Sequence, residues 1–568
     1  MFTELRNAWN ELTGPGGPFE IVEVPVRGIP VRTYTGAPNS VRDIWHASRA
    51  YEDRDYLVYG DERWTFAAAH RDVASIATWL AANGVAPGDR VAIAMRNYPE
   101  WMLTYWATLS LGATAVGMNA WWTGPEMAYA LEDSTPKVVV CDVERLERLE
   151  TQRAALPPLQ TVGVRLPPGR ATDAVPFAEL LGHAGDPPEP DIDPDSDACI
   201  FYTSGTTGRP KGAQLTHRGC VTNLMSIVFW DAVGKRARAL AEPDGSEAPP
   251  ALVPPRIVSL VTTPLFHVTA NNCVAYSVTA AGGTLVFMYR WDPTEALQLI
   301  EREQVTNLTG VPTMTREVLA HPDLDNYDTS SLKIMGGGGA AFQPDLVDKI
   351  EARKGSTRPN TGYGLTETCG IITTTSADYH AAKPESVGPI MPSFEARCVD
   401  ADGRTVADGE VGELWVKGAQ VVAGYLNRPE ATAESITDGW FHTGDLGHID
   451  SDGFLTIVDR IKDMLLRGGE NIYCAEVEAG IFEHPDVAEC AVFGVPDERL
   501  GEEVGAAVVL RKDADLGVQA IREHCAERMA AHKIPRYIWI GTEPLPRNAN
   551  GKFLKRQLRD ELDPADAG

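Results

Sequence analysis

The sequence predicts an α/β fold with largely parallel sheets, followed by a small C-terminal domain. Two observations support the fold class: helical and strand-like segments alternate through the first half of the chain, and long uncharged stretches stand where buried strands are expected. A third observation, the change of pattern after Phe454, supports the separate C-terminal domain. At about 150 residues per folding unit, the 568 residues correspond to roughly three or four units.

The alternation begins with a helix over residues 67–83, which ends before Gly84, a residue suited to a helix C-terminus. Pro99 fits the first turn of a second helix that runs to about Leu109. Short apolar segments between and after these helices predict strands. These segments lie at residues 90–95, 113–116, 136–141 and 198–201.

Two stretches without a charged residue, 102–124 and 257–289, are long enough for the ~20 residues of a membrane-spanning helix. Both contain glycines and asparagines, and the second also contains Pro264; such residues break a helix or are costly in lipid. We therefore predict a buried helix and a buried strand in each stretch, because parallel strands covered on both faces read as continuous apolar runs. No transmembrane segment is expected.

Charge and cysteine content exclude several classes of protein. Lys and Arg number 51 against 79 Asp and Glu, and the net charge of −28 argues against a duplex-DNA binder or a protein of anionic membrane surfaces. The nine cysteines include no C-x-x-C pair, so neither a zinc ribbon nor a disulfide framework is expected. The chain begins with an early acid and no apolar signal-peptide core. We predict a reduced, cytoplasmic protein.

Two segments divide the chain. Between Trp230 and Arg256 the periodicity lapses and prolines accumulate, which predicts a surface loop or flexible insertion within one domain. The charged turn at residues 459–463 follows a strand and precedes a new α/β pattern. We place the boundary there, which gives an N-terminal domain of residues 1–460 and a C-terminal domain of residues 461–568.

The strongest local motif is residues 202–212, a run of glycine, serine and threonine that follows an apolar strand and includes Lys211. Glycines let successive backbone N–H groups surround phosphate oxygens, and the lysine adds positive charge. The motif is not a Walker A loop, because Pro210 and Gly212 stand where glycine and a hydroxyl residue are required. A hairpin turn without a ligand is the alternative.

A second motif, residues 360–368, places Tyr363 between glycines and continues to Glu367. The tyrosine ring offers a stacking face for a flat base, and the carboxylate is a hard oxygen ligand of the kind that Mg²⁺ prefers. Taken alone, the motif fits a loop with a buried tyrosine better.

Two further motifs are also ambiguous in isolation. Residues 442–450 contain two His and two Asp, but their spacing matches no zinc pattern, and a carboxylate that hydrogen-bonds a diol fits better than a metal site. Residues 546–556 contain the turn signal Asn550-Gly551, which would present Lys552 at a tip. Taken alone, that segment fits a solvated basic helix end.

Together and in this order, the four motifs resemble those of the adenylate-forming superfamily, which joins acyl-CoA synthetases, luciferases and peptide-synthetase adenylation domains. The resemblance runs from about residue 40 to 560 and includes segments 264–267, 310–313, 412–418 and 468–472. It implies a large N-terminal domain of stacked α/β subdomains and a small, mobile α+β C-terminal domain. Members convert a carboxylate and Mg·ATP to an acyl-adenylate and pyrophosphate, and usually pass the acyl group to a thiol.

The resemblance also implies roles for individual residues. The β- and γ-phosphates would be held by Thr203, Ser204, Gly205, Thr206, Thr207 and Lys211. The slot for adenosine would be formed by Gly338, Ala340, Asn360, Tyr363, Asp445 and Arg460. The reaction would involve Thr366 at the α-phosphate, Glu367 as the Mg²⁺ ligand, His267 beside the acyl pocket, and Lys552. The small domain would swing about a hinge at Lys462, and the pantetheine arm of coenzyme A would pass Gly469.

We therefore predict an ATP-dependent ligase that joins coenzyme A to a fatty or otherwise bulky hydrophobic or aryl acid, with Mg²⁺ as cofactor and a role in fatty acid metabolism. The glycine run 336–339 has two interpretations: room for a large acyl group, or close packing of the adenine loop. The alternatives are an enzyme that loads a separate carrier protein, a luciferase-like oxygenase, and a catalytically silent sensor of acyl ligands or nucleotides. A homodimer is left open, and no nucleic-acid partner is expected.

Overall fold

The structure is a computed structural model that describes the whole chain except residues 154–155, 157, 184, 204–208, 242–255, 340–341, 354–356, 469 and 549–550. The described residues form two central, mostly parallel sheets, an antiparallel sheet, an N-terminal hairpin and a C-terminal sheet. The predicted α/β class, with a large N-terminal and a small C-terminal part, is confirmed. Strands and helices are numbered below in chain order.

The first central sheet is built from strands between Arg90 and Thr216. Its neighbours are parallel except for the last two strands in sequence, which pair antiparallel. The spatial order is β11 (Lys211–Thr216), β10 (Asp197–Thr203), β6 (Thr114–Gly117), β5 (Arg90–Ala94), β7 (Val138–Asp142), β8 (Gln160–Val164) and β9 (Val175–Pro176).

The second central sheet has a parallel middle and an antiparallel pair at each edge. Its spatial order is β17 (Gly370–Ser376), β16 (Arg358–Leu365), β15 (Ile334–Gly338), β14 (Asn307–Gly310), β12 (Val258–Val261), β13 (Thr284–Phe287), β3 (Asp55–Tyr59) and β4 (Glu62–Thr65).

The remaining strands are mostly antiparallel. The N-terminal hairpin joins β1 (Ile21–Val26) and β2 (Ile29–Tyr34). The antiparallel sheet contains β18 (Gly388–Pro389), β19 (Phe394–Val399), β20 (Gly412–Gly418), β21 (Ile436–Thr437), β22 (Trp440–Ile449) and β23 (Phe454–Arg460). The C-terminal sheet contains β24 (Leu465–Arg467), β25 (Glu470–Ile472), β26 (Val487–Asp497), β27 (Gly501–Leu510) and β28 (Tyr537–Gly541).

The helices connect these strands and cover their faces. In chain order they are α1 (Phe2–Thr13), α2 (Val41–Ala47), α3 (Phe66–Ala82), α4 (Pro99–Ser110), α5 (Gly124–Ser134), α6 (Val143–Glu150), α7 (His217–Ala241), α8 (Tyr276–Ala280), α9 (Pro293–Glu303), α10 (Pro312–Leu319), α11 (Pro344–Glu351), α12 (Ala377–Ala382), α13 (Pro429–Ser435), α14 (Cys474–Phe482), α15 (Val518–Ala526) and α16 (Lys555–Glu561).

The largest core lies between the two central sheets. Helices α2, α3 and α4 fill this space, and Trp45 and Trp106 stack there with ring centroids 5.3 Å apart. Burial on both faces explains the two uncharged stretches of the sequence. The first contains the end of α4 and strand β6, and the second contains β12, a π-helical segment (Thr269–Ala275), α8 and β13. No helix in the described ranges is long and apolar enough to cross a bilayer.

One local prediction was wrong. The loop predicted between Trp230 and Arg256 begins as helix, because α7 continues to Ala241. Val233 and Ala237 keep the helical period and are buried, and an Asp231–Lys235 pair four residues apart supports the exposed face. The proline-rich remainder, residues 242–255, lies outside the described residues.

Candidate active site

A cavity of about 850 Å³ runs along β12, β14 and β15 and reaches the carboxyl ends of these strands. Carboxyl ends of parallel strands are the usual ligand-binding edge of open α/β sheets. Most of the predicted site residues line this cavity: Thr203, Lys211, His267, Gly338, Asn360, Thr366, Glu367, Asp445, Arg460, Lys462 and Lys552.

Lys552 enters the cavity from the C-terminal part of the chain. A turn holds it in place, since the Asn548 amide donates to the Lys552 carbonyl at 2.9 Å and the Lys552 amide donates to Asn548 Oδ1 at 3.0 Å. Arg547 anchors the same turn to the N-terminal part through a 3.0 Å hydrogen bond to the Thr313 hydroxyl. Burial, with the nearby Arg460 guanidinium, lowers the pKa of Lys552 to about 8.

Glu367 is a buried carboxylate, only 8% exposed. The Tyr425 hydroxyl donates a 2.8 Å hydrogen bond to its Oε1, and burial raises the pKa of the carboxyl. No ion pair to Glu367 is present in the part of the chain that the structure describes. A buried, unneutralised carboxylate at the wall of a cavity is suited to a hard cation.

Asp445 lies on the cavity wall on β22 and is 2% exposed. Arg460 reaches its Oδ1 at 3.0 Å, and the Tyr363 hydroxyl donates to its Oδ2 at 2.6 Å. Tyr363 itself does not line the cavity, although its neighbours Gly362 and Gly364 do.

Only part of the predicted phosphate-binding loop lies within the described residues. Thr203 ends β10 and Lys211 begins β11, and the two residues pair across this antiparallel ladder. The ammonium of Lys211 stands 5.0 Å from the centre of the Tyr425 ring. Ser204, Gly205, Thr206 and Thr207 lie outside the described residues, as do Ala340 and Gly469.

The glycine run is required by strand packing. A Cβ at Gly336 would lie 1.9 Å from the Asn360 carbonyl oxygen, and one at Gly337 would lie 1.9 Å from that of Gly310. Both glycines also have positive φ values, 157° and 146°. Gly337 and Gly338 line the cavity, so the side-chain-free wall is a consequence of close strand packing.

His267 and Lys462 both line the cavity, and burial lowers the pKa of each. Burial, with the Lys552 charge, lowers the pKa of His267 to about 4, so the imidazole is neutral at pH 7. Burial also lowers the pKa of Lys462. Lys462 belongs to a turn in which Asp463 and Met464 both donate backbone hydrogen bonds to the Arg460 carbonyl.

The alternative interpretations of two motifs lose support. His442 stacks on Trp415 with ring centroids 3.8 Å apart, and Asp450 pairs with Lys383. Among the described residues no group of three or more His, Cys, Asp and Glu could hold a metal ion. Lys555 pairs with Glu478 at 2.7 Å, so the basic segment near Lys552 is not simply a solvated helix end.

Sequence reasoning missed Tyr425 and Asn548. Tyr425 bonds Glu367, and Asn548 builds the turn that carries Lys552. The contact between Tyr425 and Glu367 has no local signal, because the two residues lie in different segments of the chain. Asn548 lies inside the motif at residues 546–556, where an asparagine that favours turns could have indicated its role in the turn.

Comparison with known proteins agrees with this geometry. The family model for AMP-binding enzymes matches residues 44–426, and the model for the AMP-binding enzyme C-terminal domain matches residues 476–552. A feruloyl-CoA synthase from an Amycolatopsis species is 36% identical over 504 residues, which cover 88% of this chain and 94% of that protein. A long-chain-fatty-acid–CoA ligase from Mycobacterium tuberculosis is 35% identical over 505 residues, with coverages of 88% and 93%.

Solved structures show the same arrangement of the chain. The o-succinylbenzoate CoA synthetase from Bacillus subtilis, in complex with the acyl-adenylate intermediate OSB-AMP, superposes with a TM-score of 0.75 at 31% identity, covering 91% of this chain and 98% of that one. An anthranilate CoA ligase in complex with anthranoyl-AMP gives a TM-score of 0.81 at 25% identity, with coverages of 92% and 96%. The chain therefore belongs to the AMP-binding enzyme family, and its activity is that of an AMP-forming acid–CoA ligase.

Proposed function

We propose that the protein joins coenzyme A to a hydrophobic fatty or aryl acid, and that Lys552 supplies the positive charge for formation of the acyl-adenylate. The observation that carries the proposal is the position of Lys552. A lysine from the C-terminal part shares one cavity with Thr366, Glu367 and Asp445 of the N-terminal part.

In the first half-reaction a carboxylate oxygen attacks the α-phosphorus of ATP, and the bond to the leaving pyrophosphate breaks. Two anions must approach each other, and negative charge develops on the phosphoryl oxygens. A buried ammonium between them counters both effects in a site of low dielectric. Thr366 contacts the α-phosphate, and Lys211 with Thr203 holds the outer phosphates.

We assign Asp445 and Arg460 to the ribose of the nucleotide. The Asp445 carboxylate can accept hydrogen bonds from the ribose hydroxyls, and its contact with Arg460 orients it. Gly338 and Asn360 form the adenine slot. Tyr363 acts through its hydrogen bond to Asp445 as a positioning residue. Its ring therefore has a smaller role in stacking on adenine than the motif suggested.

Glu367 is the residue that would hold Mg²⁺. The fit is good, because its carboxylate is buried and faces the cavity without an ion-pair partner in the described ranges. Magnesium usually takes one or two protein carboxylates and completes its shell with phosphate oxygens and water. Bound there, the ion would neutralise part of the charge on the phosphates.

In the second half-reaction the thiol sulfur of coenzyme A attacks the acyl carbonyl, the bond to AMP breaks, and the thiol proton leaves. Lys552 is not needed for this step. We propose that the C-terminal domain, residues 461–568, turns about Lys462 to withdraw it and to bring Gly469 toward the pantetheine arm. His267, a neutral imidazole, separates the acyl pocket from that entry.

The acyl class follows from the cavity and from the relatives. Besides His267, the cavity is lined by aliphatic side chains that include Val274, Val278 and Ile334. Three of the relatives named above take their names from feruloyl, long-chain fatty and anthranilate groups, which are largely hydrophobic, whereas the o-succinylbenzoate of the fourth carries a second carboxylate. Nine unpaired cysteines, eight of them buried, support the prediction of a reducing, cytoplasmic location.

A panel of carboxylic acids tests the proposal. The purified protein is incubated with ATP, Mg²⁺, coenzyme A and each acid, and pyrophosphate release and thioester mass are measured together. We expect thioester formation with hydrophobic aliphatic or aromatic acids. Pyrophosphate release without thioester formation would indicate transfer to a carrier protein, and silence across the panel would indicate a sensor.

A further inference from the structure

The deep end of the cavity carries polar groups that the nucleotide chemistry does not use. Ser259 of β12 is in register with Asn307 of β14, and Asn307 is in register with Ile334 of β15. All three line the cavity. Adjacent strands lie about 4.8 Å apart, so the serine and the asparagine stand side by side on one face of the sheet.

Both polar side chains have unused hydrogen-bonding capacity. Ser259 is 2% exposed, and its hydroxyl makes no hydrogen bond within the described residues. Asn307 accepts a 2.7 Å hydrogen bond from the Thr306 hydroxyl at Oδ1, and its amide nitrogen has no partner among the residues that the structure describes. Asn307 is half-buried and both residues line the cavity, so their free hydroxyl and amide groups are available to hydrogen-bond an oxygen atom of a ligand bound there.

The surroundings of this pair are neutral and mostly aliphatic. Val274 and Val278 also line the cavity, as does Ser277, whose hydroxyl donates to the Cys273 carbonyl at 2.8 Å. The described cations of the cavity all stand with the nucleotide residues: Lys211, Arg460, Lys462 and Lys552.

One described charged residue that borders this end of the cavity, Asp231, is an exposed anion. Asp231 borders both this cavity and an adjoining one of about 400 Å³, as Ile334 does, and it pairs with Lys235 at 2.6 Å. Both side chains of this pair are about two-thirds exposed, so a second carboxylate on the substrate would find no buried cation among the described residues there.

We propose that the acid carries a neutral oxygen function, a hydroxyl or a carbonyl, at the end away from its carboxylate, and that Ser259 and Asn307 select for it. This inference rests on the proposed acid–CoA ligation. Ile334 precedes Gly338 by four residues. At about 3.3 Å per residue, the polar pair lies roughly 13 Å from the end where the carboxylate is activated. That span suits a medium-length chain or a rigid two-ring acid.

Matched acids test the proposal on two scaffolds. Wild-type protein is given decanoate, ω-hydroxydecanoate and decanedioate, and separately biphenylcarboxylate and its distal para-hydroxy derivative, with thioester measured by mass. We expect kcat/KM about tenfold higher for the hydroxy acid than for its parent on at least one scaffold, because an unmatched polar pair penalises the parent. Decanedioate should be poorer than ω-hydroxydecanoate.

Equal use of parent and hydroxy acid on both scaffolds would overturn the selectivity while leaving the ligase function in place. Absence of thioester with every acid of the set would overturn the ligation of hydrophobic acids itself, and the selectivity with it. The two failures are therefore distinguishable.

Variants assign the selectivity to the two residues. Ser259→Ala and Asn307→Leu should each lower the ratio of kcat/KM between hydroxy acid and parent about tenfold, since each removes one hydrogen bond to the distal oxygen. Ser277→Ala is the matched control, because its hydroxyl is already donated to Cys273, and its ratio should equal that of wild type. Equal loss for both acids in Ser259→Ala and Asn307→Leu would indicate a packing role and overturn the proposal.

Discussion

The hydroxyl of Tyr363 donates a 2.6 Å hydrogen bond to Asp445, and this bond links β16 of the second central sheet to β22 of the antiparallel sheet. Arg460 reaches the other oxygen of the same carboxylate. Because Asp445 is almost fully buried, these two partners set its orientation. A carboxylate on the cavity wall is thus held by a tyrosine that does not itself line the cavity.

Removal of this hydroxyl should weaken nucleotide binding. We expect Tyr363→Phe to raise the KM for ATP about tenfold with little change in kcat, since a hydrogen bond to a charged group is lost away from the reacting atoms. Steady-state kinetics at saturating acid and coenzyme A measure the effect. Tyr51→Phe is the control, because its hydroxyl bonds the Ala280 carbonyl and not a cavity residue. An unchanged KM in Tyr363→Phe would contradict the positioning role.

Lys552 should matter for one half-reaction only. Lys552→Ala is expected to slow acyl-adenylate formation by about 10²- to 10³-fold, since it removes the charge that stabilises the transition state. Thioester formation from supplied acyl-adenylate should keep most of its rate. Single-turnover assays of each half-reaction separate the two, with Lys555→Ala as the control, because Lys555 pairs with Glu478. Equal losses in both half-reactions would remove Lys552 from its assigned role.

The pH dependence of adenylation should reveal the same lysine. Its pKa is lowered to about 8, so the charged form predominates below that pH and is lost as the pH rises through it. We expect kcat/KM for adenylation to fall above about pH 8. The residual adenylation of Lys552→Arg should lack this basic limb, because a guanidinium stays protonated. An identical limb in both proteins would assign it to another group.

Magnesium dependence should follow Glu367 and its tyrosine partner. Glu367→Gln is expected to raise the Mg²⁺ concentration for half-maximal adenylation at least about tenfold, and Tyr425→Phe to raise it less, because the latter removes only the hydrogen bond that orients the carboxylate. Titration with Mg²⁺ at fixed ATP measures both. Glu434→Gln, an exposed carboxylate of the same cavity, should titrate like wild type. Wild-type behaviour of Glu367→Gln would place the ion elsewhere.

The predicted hinge can be tested by stiffening it. Lys462→Pro should reduce thioester formation at least about tenfold more than adenylation, because proline fixes φ while the observed orientation already places Lys552 in the cavity. The Lys462 amide makes no backbone hydrogen bond within the described residues, so no donor is lost. Proline also restricts Ile461, so the ratio of the two half-reactions, compared with Lys462→Ala, is the quantity to measure. An unchanged ratio would exclude the hinge.

Much of the fold could be predicted from the sequence because its signals are local. The helices at Phe66–Ala82 and Pro99–Ser110 and the strand between them at Arg90–Ala94 follow from apolar spacing, from Gly84 after the first helix and from Pro99 at the start of the second. The prediction of a loop after Trp230 was wrong. Helix α7 continues through a segment of low apolar content because tertiary packing buries Val233 and Ala237 there.

The sequence by itself determined the α/β class, the family and a set of eleven predicted residues that line the cavity, because motif composition and spacing are properties of the chain itself. Only the tertiary structure decided how they meet. It turned Tyr363 toward Asp445, brought Tyr425 to Glu367, and aligned Ser259 with Asn307. The reason is physical: strand register and the docking of one segment on another join residues far apart in sequence, and no local preference specifies those distances.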